Sequence, residues 1–242
     1  MIVAFSVARE SVIKAKQSQT EFIAKFVHFL RAYKDADGTL KEEMLADIEY
    51  LLATNQCRLG KTFPVVGAGP GIFRTPLHYA AELGQLAVVK LLLEKKFKVE
   101  VDLKIQETET QTPQAGMTAL HYAALHGHSD VAEYLLKKEA NVLLTDNLGS
   151  PTTYFSVASG SRKMMNVIFK ATHEKRPAVT VEALLSERDS NNHDLGFVTR
   201  TMRVNANKFK ELLKNIFPSN ATRKRYEYTV RYQLVFCSDG LH

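Results

Sequence analysis

The stretch Thr118–Leu136, which reads TALHYAALHGHSDVAEYLL, decides the fold of this chain. A short run of helix-forming residues over 119–125 comes before Gly127. A second, amphipathic run follows the glycine and places Val131, Leu135 and Leu136 on one face. The pattern predicts two short helices joined by a tight turn.

The same pattern occurs two more times. Forty-three residues earlier, Thr75–Leu93 reads TPLHYAAELGQLAVVKLLL and aligns with the first stretch without a gap. A third copy begins 33 residues after the first stretch, at Pro151, with PTTY where the others have TPLH or TALH. It retains Gly160 and apolar residues at the positions of the valine and the two leucines, namely Met164, Ile168 and Phe169. Internal repetition at this spacing predicts a stack of similar units.

These units resemble the ankyrin repeat, whose signature is T-P-L-H-x-A-A-x-x-G followed by V-x-x-x-L-L. The resemblance covers residues 72–170 and implies a mainly α fold, an ankyrin-repeat solenoid of helix-turn-helix units. We expect three domains. Residues 1–60 form a helical N-terminal cap, 61–170 form the repeats, and 171–242 form a small, mixed, basic C-terminal extension that could hold a degenerate fourth repeat and a strand.

The resemblance also assigns structural roles. It implies that His78 and His121 form hydrogen bonds to the backbone across the turns, and that three glycines turn the chain after the first helix of each unit: Gly84, Gly127 and Gly160. A metal site at His121, His126 and His128 is the alternative. No cysteine or carboxylate completes a tetrahedral set there, so we expect no metal ion. No catalytic constellation stands out.

In ankyrin-like arrays, partners dock on the hairpin fingers and on the concave face formed by the first helix of each repeat. Carried over by position, the partner-binding residues would be Tyr79, Glu82, Leu83, Tyr122, Leu125, His126 and Phe155. Tyr79 and Tyr122 are equivalent residues and are expected to be exposed side by side. An aromatic surface with little charge is typical of protein–protein contacts rather than of nucleic-acid grooves.

The connections between these units carry two further predictions. Ten residues beyond the 33-residue period separate the first two units, which predicts an enlarged hairpin finger with a strand over 98–102. Residues 65–70, VVGAGP, imitate the start of a dinucleotide-binding fold, but Ile72 occupies the position of the third glycine. A glycine-rich connector is the favoured interpretation, and we expect no cofactor.

The flanking segments have their own patterns. Phe22, Phe26 and Leu30 recur at helical spacing, as do Met44, Ile48 and Leu52, which predicts two helices covering the first repeat. After residue 170, residues 209–216 suggest a helix and Tyr226–Phe236 suggests a strand.

Composition limits the class of protein. The chain is 45% hydrophobic and 24% charged, as in ordinary globular proteins, and two cysteines, Cys57 and Cys237, favour a reducing compartment such as the cytoplasm. Most of the net charge of +6 lies after residue 170. Its densest point, Arg223-Lys224-Arg225, is either a solvated loop or a contact with an anionic surface. Nucleic-acid binding and a membrane span are not expected.

The sequence therefore favours a protein-binding scaffold or adaptor. The resemblance extends to ankyrin-bearing effectors that bacteria secrete into host cells, which is one alternative. The other is an enzyme whose active site lies in the flanking segments, with the repeats serving for targeting.

Overall fold

The computed structural model describes residues 21–55, 59, 63–64, 73–94, 97, 99–105, 115–178, 188–189 and 192. Helices dominate this part of the chain. In chain order the elements are α1 (21–35), α2 (Gly38–Thr54), β1 (Phe63–Pro64), β2 (Phe73–Arg74), α3 (Pro76–Glu82), α4 (Leu86–Leu92), α5 (Ala119–Leu125), α6 (Ser129–Lys137), α7 (Thr152–Ala158) and α8 (Arg162–Lys175).

The chain divides into two compact units, Met1–Ala119 and Leu120–His242. The first contains the helix pair α3/α4, and the second contains α6 and the pair α7/α8, while the boundary falls within α5. The predicted helix-turn-helix architecture is confirmed.

Helix α3 begins where threonine and proline predict a helix start. Thr75 is extended, its Oγ1 accepts a hydrogen bond from His78 N, and Pro76 is the first helical residue, where the missing N–H is not needed. After α3, Gly84 turns the chain at φ +69°. Helix α4 then buries its valines and most of its leucines, so the pair α3/α4 forms a small apolar layer.

The N-terminal helices pack against this first repeat. Phe22, Phe26 and Leu30, spaced four residues apart on one face of α1, are all buried. The Nε2 of Gln85, just before α4, donates a hydrogen bond to Leu30 O at 3.4 Å, and α2 packs against α4. These contacts cover apolar surface that a single repeat cannot bury by itself.

In the second unit, α8 packs against both α6 and α7. The three apolar positions that the third copy retains, Met164, Ile168 and Phe169, are fully buried in this layer. Helix α8 extends to Lys175, past the predicted boundary of the repeats at residue 170. Dispersion and burial along α8 therefore maintain a helix pair whose opening motif has largely changed.

A loop precedes each of α3, α5 and α7, and we call these loops the first, second and third fingers. The sequence predicts the first of them as a glycine-rich connector. The first finger (63–74) pairs β1 with β2 in antiparallel register, with Phe63 opposite Arg74. The third finger (140–151) is closed by an isolated bridge between Thr145 and Pro151. At its tip, Asp146 Oδ1 accepts hydrogen bonds from Leu148 N at 2.9 Å and from Ser150 N at 2.7 Å.

The second finger (97–117) differs from its prediction. Its described residues 99–102 form no strand, and 101–102 are a turn, so the predicted strand over 98–102 is wrong there. Pairing occurs later: Ile105 N donates to Met117 O at 3.0 Å and Gly116 N donates to Ile105 O at 3.2 Å. An alternating pattern becomes a strand only where a partner strand accepts its hydrogen bonds, and here the partner lies opposite Ile105.

Several predictions lie outside the described residues. They concern the glycine-rich stretch 65–72, both cysteines, the helix over 209–216, the basic triplet 223–225 and the strand over 226–236. Among the helices that the structure describes, none has the length and apolar character needed to cross a bilayer.

Candidate protein-binding surface

His78 is part of the internal framework of the first repeat. Its side chain is 1% exposed, and its Nδ1 lies 2.7 Å from Thr75 Oγ1 while Thr75 N donates to the same nitrogen. Its Nε2 lies 3.2 Å from Met117 O, at the end of the second finger. Burial lowers the pKa of His78 to about 4, so the ring is neutral at pH 7, with Nδ1 accepting and Nε2–H donating. Both ring nitrogens are used in structural contacts.

His121 makes the equivalent contact in the second repeat. It is fully buried, and its Nε2 lies 3.0 Å from Leu144 O in the third finger. The ring of Phe155 meets it edge-on, with 5.1 Å between centroids and 78° between planes. The imidazole therefore joins helix α5 both to a finger and to the first helix of the following repeat.

Each first helix is followed by a glycine in the left-handed region. The φ angles are +69° at Gly84, +73° at Gly127 and +65° at Gly160. The surroundings differ: a Cβ at Gly127 would lie 3.3 Å from Ser161 Cβ, whereas a Cβ at Gly160 would meet nothing within 4 Å. Gly127 is therefore constrained both by backbone conformation and by close packing.

The predicted exposure of the two tyrosines is wrong. Tyr79 is 7% exposed and Tyr122 is 1% exposed. The guanidinium of Arg74 lies 5.7 Å from the Tyr79 ring centroid and also pairs with Glu82, so it covers that ring. Tyr122 lies in a part of α5, residues 119–124, where every residue is buried. A helix buried on all sides has no open face on which to present a tyrosine.

The other predicted partner-binding residues do reach solvent. His126 is exposed, and Glu82, Leu83, Leu125 and Phe155 are partly exposed. In the second unit, Leu125 is the last residue of α5, His126 follows it, and Phe155 belongs to α7. At the third finger, Leu143 is 37% exposed, a residue that the repeat pattern does not single out. We call Leu125, His126, Leu143 and Phe155 the repeat-end surface.

In each of the two units a buried imidazole connects the first helix of a repeat to the following finger. Residues 41–146 match the family model of ankyrin repeats, in three copies. This segment is an array of ankyrin repeats. The match starts within α2, ahead of the TPLH motif of the first repeat, and it ends at the tip of the third finger. A comparison with curated proteins returned no match.

Ankyrin repeats are generally modules for protein–protein interaction. The pair α7/α8 lies beyond the matched residues, yet the structure folds it as another helix pair of the same kind. The start of this helix pair differs from the start of the preceding ankyrin repeats. Pro151 stands at the N-cap and supplies no side-chain hydrogen bond, and Tyr154 occupies the histidine position.

The two histidines that follow α5 lie close together. His126 and His128 stack with 6.2 Å between ring centroids and 17° between their planes. Within the part of the chain that the structure describes, no group of three histidine, cysteine, aspartate or glutamate residues could hold a metal ion.

Proposed function

We propose that this chain binds a partner protein through the repeat-end surface of its ankyrin array. The observation that supports the proposal is exposure: Leu125, Phe155 and Leu143 reach solvent although the residues around them in α5 and α7 are buried. Apolar and aromatic groups that are rigidly supported and partly exposed are favoured at the centres of interfaces.

The repeats support this surface at a fixed geometry. Phe155 is held edge-on by His121, whose Nε2 in turn contacts the backbone of the third finger next to Leu143. A surface that is ordered before binding loses little conformational entropy when the partner arrives. Tyr79 and Tyr122 are excluded from the proposal because they are buried.

Binding is tested by capturing partners with the whole chain, identifying them by mass spectrometry and measuring affinity with the purified partner. The double change Leu125→Ser and His126→Ala should weaken that affinity at least about tenfold, because it removes apolar contact area and an exposed ring from the repeat-end surface.

The matched control is Tyr50→Ala. Tyr50 is 74% exposed on α2, so this change removes a large exposed ring away from the repeat-end surface. The Tyr50→Ala variant should bind the partner with the same affinity as the unaltered chain. Equal loss in both variants, or loss in the control alone, would move the partner to the N-terminal helices and contradict the proposal.

The enzyme, the secreted effector and the cytoplasmic location remain predictions of the sequence. No contact or distance among the described residues favours the first two over protein binding.

A further inference from the structure

A cavity of about 220 Å³ lies in the second unit, between the third finger and the last turns of α8. Val142, Leu143 and Pro151 provide apolar lining from the finger. Thr153, Arg176 and Arg188 provide polar lining from α7, from the end of α8 and from the chain beyond it.

The altered start of the third repeat explains why the cavity exists. Thr153 occupies the position of Leu77 and Leu120, and both of those leucines are buried at 1% exposure. Threonine is smaller than leucine and carries a hydroxyl, so the exchange leaves space and introduces a polar atom. Thr153 is 3% exposed, and its Oγ1 has no hydrogen-bond partner within the chain. A buried hydroxyl without a partner costs free energy, and a bound ligand would recover it.

The charges at the cavity favour an anion. Two guanidinium groups line it, and Nη1 of Arg188 donates to Asn192 O at 2.8 Å, which holds that side chain in place. No aspartate or glutamate is among its described lining residues. Two carboxylates lie nearby: Asp146 directs Oδ1 to two backbone N–H groups of the finger, and Asp189, which follows Arg188, adds to the effect of burial in raising the pKa of Asp146. Arginine guanidiniums match the geometry of carboxylates and phosphates, and a threonine hydroxyl can donate to either.

The size of the cavity restricts the ligand. Pockets for drug-sized molecules occupy roughly 300–1,000 Å³, whereas this one would accept a single acidic side chain. Leu143 lines the cavity and also belongs to the repeat-end surface. A partner bound to that surface at Leu143 would therefore lie next to the cavity.

We propose that this cavity binds an oxyanion, a carboxylate or a phosphate, carried on a side chain of the partner protein. That the oxyanion comes from a protein rests on the proposed function, whereas the affinity of the cavity for the oxyanion does not. Arg176 and Arg188 neutralise the charge, Thr153 Oγ1 donates to one oxygen, and the finger residues pack on the methylene groups.

The test is an NMR titration of the full chain with three small probes: the N-acetyl amides of phosphoserine, glutamate and glutamine. Saturable shifts of the Thr153 amide with the phosphoserine or the glutamate probe, and none with the glutamine probe, are expected. The acidic probe that binds more tightly identifies the source, a phosphorylated or an acidic segment. The absence of saturation with both acidic probes would overturn the proposal without affecting the partner-capture result.

Two pairs of variants separate the site from general effects. Arg176→Gln should weaken binding of the acidic probe about tenfold, whereas Lys175→Gln, which removes the same charge from the adjacent exposed residue outside the cavity lining, should leave it unchanged. Thr153→Leu, which restores the leucine of the other repeats, should abolish binding, and Thr152→Val should not.

Thr152 is the control for the lost hydroxyl because its Oγ1 is also buried without a partner but does not line the cavity. Equal weakening by Lys175→Gln and Arg176→Gln would indicate unspecific attraction and would overturn the proposal. Undiminished binding by the Thr153→Leu variant would do the same.

Discussion

The first and third repeats have the same helix-turn-helix geometry but begin in different ways. In the first, Thr75 caps α3 and shares a hydrogen-bond network with a buried histidine that reaches Met117 O. In the third, Pro151 gives no side-chain cap, and the hydroxyls of Thr152 and Thr153 are buried without partners. Apolar packing is sufficient to build the helix pair, whereas the polar motif adds hydrogen bonds between the threonine hydroxyl and the histidine ring.

Removing the polar network of the first repeat should have the largest effect. His78→Leu removes the acceptor of the buried Thr75 N and one of the two hydrogen bonds that Met117 O accepts, the other coming from Ile105 N. The free energy of unfolding should therefore fall by about 2 kcal/mol in chemical denaturation. His126→Leu is the control. Its ring is exposed, so we expect a change within about 0.5 kcal/mol. A smaller loss for His78 than for His126 would show that the network does not stabilise the repeat.

The same histidine should make stability depend on pH. Its pKa is lowered to about 4 in the folded chain, below its ordinary value of 6.5. The unfolded chain therefore takes up the proton first as pH falls. The contribution of the neutral ring is complete above pH 6.5 and is lost between pH 6.5 and about 4, by on the order of 3 kcal/mol.

Denaturant titrations at pH 7 and pH 4 check this dependence. The difference in unfolding free energy between the unaltered chain and His78→Leu should shrink at the lower pH. A constant difference would mean that His78 titrates alike in the folded and unfolded chains.

The glycine turns allow a finer comparison. Gly127→Val forces a β-branched residue into the left-handed region and against Ser161, so it should cost at least about 2 kcal/mol. Gly160→Val has the same backbone penalty but meets open space, and should cost about 1 kcal/mol less. Thermal melting of both variants is the measurement. The reverse order would indicate that the contact with Ser161 relaxes without cost.

The smallest effects are expected from removing a threonine hydroxyl, and they should have opposite signs in the first and third repeats. Thr75→Val removes the hydroxyl that caps α3 and should destabilise the chain by about 1 kcal/mol. Thr152→Val removes a hydroxyl that is fully buried and has no partner, so it should stabilise the chain by about 1 kcal/mol. Paired denaturation curves of the two variants test the contrast. Destabilisation by both would indicate that Thr152 finds a partner, such as a buried water molecule.

Much of the fold could be predicted because its signals are local. The threonine and proline at the start of α3 and the glycine after it specify a helix start and a turn through their own backbone preferences. The partner-binding residues were harder, because the exposure of a side chain depends on what lies over it. Leu125 and His126 reach solvent where α5 ends, whereas Tyr122, one turn earlier in the same helix, is buried.

The sequence by itself determined the repeated helix pairs and their turns, since each depends on residues within one copy of the pattern. The backbone contacts of the two histidines were implied by the resemblance to ankyrin repeats, because they reach into the following finger. Only the tertiary structure decided that Arg74 covers Tyr79, that Tyr122 is enclosed, and that Thr153 lines a cavity together with two arginines. A seven-residue helix makes about two turns, too few for its sequence to show which face is polar. The elements packed around it decide that, and the chain brings them together from distant positions.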